Sequence, residues 1–280
     1  MLAYRHLFHA GNFADVFKHA LLGQLLAALT EKDKPLCYLD THAGTGRYDL
    51  KHPWAQKARE YANGIAKLWE LPEIPDALTA YLDAVRAENP DGKLRYYPGS
   101  PRIARRLIRV GDRMVLTELN KRDCAELDSL FSGDRQVMVR CMDGYQALKA
   151  FLPPKERRGL VLLDSSFDRA GEFARITESL VAASRRWATG VYAIWYPMME
   201  PAAMRRFERD LVATGIRRIL QLELTVGPES WTATMRGCGM LIVNPPWKLD
   251  TATRPLLAWL ARVLAEPPAG SSSVRWLVPE

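Results

Sequence analysis

The stretch Leu36-Cys37-Tyr38-Leu39-Asp40-Thr41-His42-Ala43-Gly44-Thr45-Gly46-Arg47-Tyr48 decides the fold. A short apolar run, Leu36 to Leu39, ends in an acid and opens into the glycine turn AGTG, so a strand feeds a loop that can lie close against a ligand. Glycines there let the backbone approach a nucleotide-like cofactor and adopt turn conformations closed to other residues. The turn is not a complete dinucleotide fingerprint. Nor is it a phosphate-cradling P-loop, because Arg47 and Tyr48 stand where Lys and Ser or Thr are required.

Apolar runs of the same kind recur at Met114 to Leu116, Val137 to Val139, Leu160 to Leu163, Val191 to Trp195, Ile219 to Leu224 and Met240 to Val243, with Val274 to Val278 as a last candidate. Seven main strands alternating with helical segments predict an α/β, Rossmann-like sheet, since parallel strands need crossover helices. Upstream, Phe13, Val16, Phe17, Ala20, Leu21, Leu25, Ala28 and Leu29 fall at helical spacing behind Asn12, a good N-cap. The alternation fails at residues 52–95, where WAQKAREYANGIAKLWEL and PDALTAYLDAVRAE read as two amphipathic helices joined by the proline-punctuated LPEIP. The expected organisation is a core of residues 1–51 and 96–280, with the N-terminal motif and helix in 1–30, and a helical insertion subdomain at 52–95. GSSS at 270–273 reads as a loop.

Further acids follow the glycine turn at successive strand ends. Glu118 closes a strand where a Rossmann-like fold uses a carboxylate to hold ribose hydroxyls, and Asp143 with Gly144 follows the next strand, placed for the adenine end of a cofactor. Between them, Ser100 can cap a helix whose first turn suits Pro101. Composition agrees with an enzyme acting on a polyanion: 39 Lys and Arg against 32 Asp and Glu give a net charge of +7, part of it in doublets such as Arg105-Arg106 and Arg185-Arg186. No run approaches the ~20 apolar residues of a membrane span. Cys37, Cys124, Cys141 and Cys238 are scattered without ligand or redox spacing, which fits a reducing compartment. A cytoplasmic monomer without metal or membrane is expected.

At this point YRHLFHAGNFADVFKH (4–19), LDTHAGTGRY (39–48), YYPGSP (96–101), LTEL (116–119), DG (143–144) and WYP (195–197) resemble the RlmJ-type enzymes, bacterial 23S ribosomal RNA adenine-N6 methyltransferases that modify adenine 2030. The resemblance runs the length of the chain and implies a class I methyltransferase fold using S-adenosyl-L-methionine. It implies cofactor contacts from His19, His42, Ser100, Glu118, Asp143 and Gly144, with Lys18 beside them and Gly44 in the turn. It further implies a catalytic Asp164, which also borders the cofactor, and an RNA contact from Tyr4.

Methylating adenine N6 requires a poor nucleophile, its lone pair delocalised into the ring, to attack a sulfonium methyl in line. A carboxylate and a neighbouring carbonyl can accept the amino protons and return the lone pair to nitrogen, while an aromatic ring stacks on the flipped-out base. The resembling enzymes use a D-P-P-Y motif. This chain reads Asp164-Ser165-Ser166-Phe167, so the acid and a ring for the RNA base, Phe167, are kept and both prolines are lost. Proline fixes φ and removes an N–H, so a looser loop and weakened activity are expected. Asn244-Pro245-Pro246-Trp247 matches the motif by composition, but it follows a strand expected to run antiparallel, which carries its end away from the cofactor. Two other readings compete. His6, His9, His19 and His42 with Asp15 and Asp40 would serve a metal-dependent, DNA-processing hydrolase linked to use of external DNA, although no HExxH or Cys-His cluster accompanies them. A catalytically inactive RNA-binding protein would use the basic surface alone.

Overall fold

A computed structural model describes residues 5–168, 170–227, 235–266 and 270–280. The chain enters through a 3-10 turn at His6–Phe8 and the helix α1 (Phe13–Thr30), followed by β1 (Cys37–Asp40) and β2 (Arg47–Asp49). Helices α2 (Pro53–Ala58), α3 (Ile65–Trp69) and α4 (Thr79–Ala87) lead to β3 (Tyr96–Pro98) and α5 (Ser100–Leu107). Then β4 (Arg113–Glu118), α6 (Lys121–Leu130), β5 (Val137–Cys141), α7 (Gly144–Phe151), β6 (Gly159–Leu163), α8 (Glu172–Arg186) and β7 (Val191–Pro197) alternate. The last elements are α9 (Pro201–Ala213), β8 (Ile219–Thr225), β9 (Gly237–Val243), α10 (Leu249–Leu264) and β10 (Ser271–Val278).

One eight-stranded sheet runs in the order β10-β8-β9-β7-β6-β1-β4-β5, and β2 pairs with β3 in a separate ribbon. The seven expected strands and the last candidate all occur, and β10 opens at Ser271, so most of GSSS is strand and not loop. Strands β7, β6, β1, β4 and β5 are mutually parallel, whereas β9 runs antiparallel to both β7 and β8. From β1 the chain order leads outward to β4 on one side and to β6 on the other. The crevice at the carboxyl end of β1 is therefore the topological switch point at which open α/β sheets bind ligands.

Alternation along the strands sends Tyr38, Met114, Leu116, Leu160 and Leu162 into one core with α1, and Leu39, Val115, Val161 and Leu163 into a second with α7 and α8. Asn12 caps α1 by accepting from the Asp15 N–H, and the helix is buried around nearly its whole circumference.

The stretch read as one helix over 54–71 is broken. Arg59 turns left-handed with φ 53°, a 3-10 turn covers Glu60–Asn63, and α3 starts after Gly64. Tertiary contact explains the break: a Cβ on Gly64 would lie 2.1 Å from the Gly11 carbonyl, which accepts from the Ile65 N–H at 2.8 Å. Ile65, Leu68, Tyr81, Leu82 and Val85 enter the same core as α1, so the helical stretch is packed onto the body of the fold. Ser100 caps nothing; Gly99 is the N-cap of α5, and the serine hydroxyl goes to Asp40 instead. Cys124 and Cys141 are also not isolated but form a disulfide, with Cα atoms 5.6 Å apart. The chain between them goes out along α6 and returns along β5, which makes neighbours of residues 17 apart in sequence. Among the described residues no helix is long and apolar enough to cross a membrane.

Candidate functional site

A cavity of about 870 Å³ lies at the carboxyl ends of the parallel strands. Lys18, His19, His42, Gly44, Ser100, Glu118, Asp143, Gly144 and Asp164, nine positions from six segments of the chain, all line it. Tyr4 lies outside the described residues.

The glycine turn and Glu118 are built together. Gly44 has φ 60° and Gly46 φ 78°, the left-handed region that glycine adopts without steric cost. Gly44 N–H donates to Glu118 Oε2 at 2.9 Å and Asn120 N–H to Oε1 at 2.7 Å, so the carboxylate is held between two strand ends. Burial nevertheless raises its pKa above the ordinary glutamate value. Gly144 fits against β1 so closely that a Cβ would meet the Thr41 carbonyl at 2.1 Å. Asp143 caps α7 through the N–H groups of Tyr145 and Gln146.

Asp40, the acid that ends β1, does not face the cavity. It is fully buried and accepts from Tyr38 OH at 2.8 Å and Ser100 Oγ at 2.7 Å, so it orients Ser100 from behind. Burial pushes its carboxyl up to about 6.

The Asp164 side of the cavity is organised by α1. Lys18 Nζ donates to Asp15 Oδ1 at 2.8 Å and to Asp164 Oδ2 at 2.5 Å, while Asp15 Oδ2 also accepts from Gly11 N–H and pairs with His6 at 3.0 Å. Burial opposes the charge on Lys18, but Asp15 and Asp164 outweigh it and hold the ammonium well above its usual range. Likewise, burial resists ionisation of Asp15, yet His6 and Lys18 keep its carboxyl well below the carboxylate range. His19 meets Tyr97 OH through Nδ1 at 2.8 Å, and burial together with the Lys18 charge keeps the ring neutral. Its Nε2 is buried with no partner among the described residues. A buried ring nitrogen left unpaired costs free energy, so a ligand group in the cavity would complete it.

Phe167 is not in the cavity wall. With φ 52° it turns its ring into the second core, edge-on to Phe173 at 5.0 Å and to Trp195 at 6.0 Å. Trp195 on β7, beside Pro197, does line the cavity. Sequence reading took these two only as part of the WYP motif and missed Arg175, Tyr145 and Glu172. Glu60 and Asn63 also reach the cavity, with Glu60 accepting from Asn12 and paired to His9 at 2.9 Å.

Asn244 sits at the opposite end of the sheet, where its amide donates to the carbonyls of Ala188 and Gly190 ahead of β7. The histidines of the metal reading do not converge: His6 pairs with Asp15, His9 with Glu60, His19 with Tyr97 and His42 with Thr41. No group of three or more His, Cys, Asp or Glu residues capable of holding a metal occurs among the described residues.

Comparison with known proteins gives a consistent picture. The chain is 46% identical over 280 residues to ribosomal RNA large subunit methyltransferase J of Escherichia coli K12, covering 100% of both chains. It is 44% identical over 281 residues to the protein of the same name from Haemophilus influenzae, again covering 100% of both. A crystal structure of the Legionella pneumophila protein LPL1258 superposes with a TM-score of 0.89 at 36% identity, covering 96% of this chain and 98% of that one. The family model described as ribosomal RNA large subunit methyltransferase D, RlmJ, matches residues 33–278, and the chain belongs to that family.

Proposed function

We propose that this protein transfers a methyl group from S-adenosyl-L-methionine to N6 of an adenine in 23S ribosomal RNA. The observation that carries the reading is the convergence of Glu118, Asp143, Gly144 and the unpaired Nε2 of His19 with Asp164 in one cavity at the switch point of the sheet. The names of the two full-length relatives support ribosomal RNA as the substrate class. Adenine 2030, a cytoplasmic monomer and activity lowered by the serine loop belong to the same proposal.

The residues fit the cofactor. Glu118 would accept from ribose hydroxyls, Asp143 and the Gly144 backbone would read the adenine, and Ser100, His42 and the Gly44 turn would complete the wall. Where Tyr97 donates to Nδ1 of His19, the ring proton is on Nε2, a donor for the amino-acid end. When bound, the sulfonium supplies an electrophilic methyl group.

The chain's own part is to prepare the amine. Lys18 engages Oδ2 of Asp164, which leaves Oδ1 to accept one N6–H, and the Ser165 carbonyl would accept the other. With both protons held, the lone pair localises on nitrogen and points along the transfer line. Trp195 offers the stacking wall that Phe167, packed inward, does not. Tyr4 would contact the RNA, and Phe167 would serve the base only by turning out. Residues 52–95 would act as one inserted unit that closes the acceptor side through Glu60 and Asn63.

Calorimetric titration with S-adenosylmethionine in the presence of a chelator tests the reading against its rivals. Micromolar binding without metal, with methyl transfer to unmodified large-subunit RNA, is the expected result. Binding without transfer would favour an RNA-binding protein, and a requirement for a divalent ion would favour the hydrolase.

A further inference from the structure

Asp143 is held from three directions. Its Oδ1 accepts from Tyr145 N–H at 2.9 Å and Gln146 N–H at 3.1 Å, and its Oδ2 accepts from Arg175 Nη2 at 2.7 Å. An ionised carboxylate offers about four acceptor positions, two on each oxygen. Among the described residues Oδ1 is therefore saturated and Oδ2 keeps one lone pair. The side chain is 17% exposed and lines the cavity, so that last position is accessible from inside it.

Arg175 is itself fixed. Its guanidinium lies over the Tyr145 ring, 4.1 Å from the centroid, and Tyr145 OH donates to Glu172 Oε1, one turn earlier on α8. Glu172 is 8% exposed and Tyr145 6%, so the support is buried. Two contacts thus bolt the first turn of α8 to the first turn of α7. Burial works against the charge of Asp143, but the Arg175 guanidinium and the N–H groups of Gln146 and Tyr145 together outweigh it and keep the carboxyl below its usual range.

We infer that Arg175 is a positioning residue for the adenine end of the cofactor, fixing the Asp143 carboxylate so that the free lone pair of Oδ2 receives the 6-amino group. The inference rests on the cofactor reading above. A guanidinium suits the task because it donates from a rigid fork while its flat face stays on the tyrosine ring. Without it the Asp143 side chain keeps only its cap bonds, and Oδ2 is free to swing away from the cavity.

The test uses S-adenosylhomocysteine and its analogue with hydrogen in place of the 6-amino group, titrated calorimetrically into the wild-type chain and the variants Arg175→Gln, Arg175→Lys and Asp143→Ala. The wild type should prefer the amino compound about tenfold, the worth of roughly one good hydrogen bond at 1.4 kcal/mol per decade. Arg175→Gln should lose most of that preference by weakening the amino compound alone, and Arg175→Lys should recover part of it. In turnover, KM for the methyl donor should rise about tenfold with kcat within twofold. Equal weakening of both ligands by Arg175→Gln would reduce Arg175 to a structural support and overturn the inference, as would an unchanged preference. If Asp143→Ala kept wild-type affinity for both ligands, the cofactor reading itself would fail, a result distinct from either of these.

Discussion

Replacing Ser165 probes the loop after Asp164, where the sequence reads Asp-Ser-Ser-Phe and the enzymes it resembles read D-P-P-Y. Its Oγ is buried beside Asp164 in the cavity wall, where it faces Tyr145 but meets no group at full hydrogen-bonding geometry among the described residues. An orphaned buried hydroxyl costs about 1–3 kcal/mol, so Ser165→Ala should stabilise the fold by that order. For a domain of this size each kcal/mol moves Tm by roughly 2–4 °C, which puts the expected rise at ~2 °C or more in calorimetry. Proline at compatible positions adds ~0.4–1 kcal/mol through the unfolded chain. Among the described residues neither the Ser165 nor the Ser166 N–H donates to backbone, so the imino ring forfeits no ladder bond there. Ser166→Pro does break Ser166 Oγ to Asp168 Oδ1, an exposed contact of 2.6 Å. If a free energy of that order goes into ordering the loop after Asp164, the double change Ser165→Pro, Ser166→Pro should raise turnover about two- to fivefold, at 1.36 kcal/mol per decade. Cofactor affinity should not move. A lower Tm for Ser165→Ala would show the hydroxyl paired in the native state, with Tyr145 the partner it faces. Equal or lower turnover in the proline version would show the loop already ordered.

Three further outcomes are expected. Asp40, pushed up to about 6, binds a proton when folded at pH values where the unfolded chain does not, so its contribution to stability grows as pH falls from 7 toward 4, by about 3 kcal/mol in all. Asp40→Asn should flatten that slope in denaturant titrations at pH 7, 5.5 and 4.5, and an unchanged slope would place the titration elsewhere. Reduction of Cys124–Cys141 opens a loop with a sequence separation of 17 and should cost ~3 kcal/mol; a dithiol should lower Tm in the wild type and leave Cys124→Ser unaffected. Asn244→Ala loses two amide bonds to carbonyls at the far end of the sheet, so it should lower Tm while leaving turnover within twofold.

The strand ends and the glycine turn were legible because their signals are local: an apolar run, an acid, a glycine. Asp40 was read as an acid at the cofactor turn, yet it supports Ser100 from the core, since strand position does not say which way a side chain leans. The helix over 54–71 obeyed the 3.6-residue period, but the approach of Gly64 to Gly11 broke it, a contact across 53 positions. Phe167 kept its place in the motif and turned inward, where Phe173 and Trp195 give it apolar neighbours. Arg175 carried no motif at all. Its only sequence signal was its position three residues after Glu172 on a helix, which places two side chains on one face toward α7. The disulfide escaped for the same reason, because its half-cystines meet only after α6 has packed beside β5.

On the proposed function, Asp164 prepares an adenine N6 amine in ribosomal RNA for methylation. Unmodified 23S RNA incubated with S-adenosylmethionine and either wild-type chain or Asp164→Ala, then digested for nucleoside mass spectrometry, tests it most directly. The expected outcome is N6-methyladenosine from the wild type, a loss of roughly a hundredfold or more in Asp164→Ala, and cofactor affinity within a few fold in both. Methylation of a different atom, or full activity without the carboxylate, would contradict it.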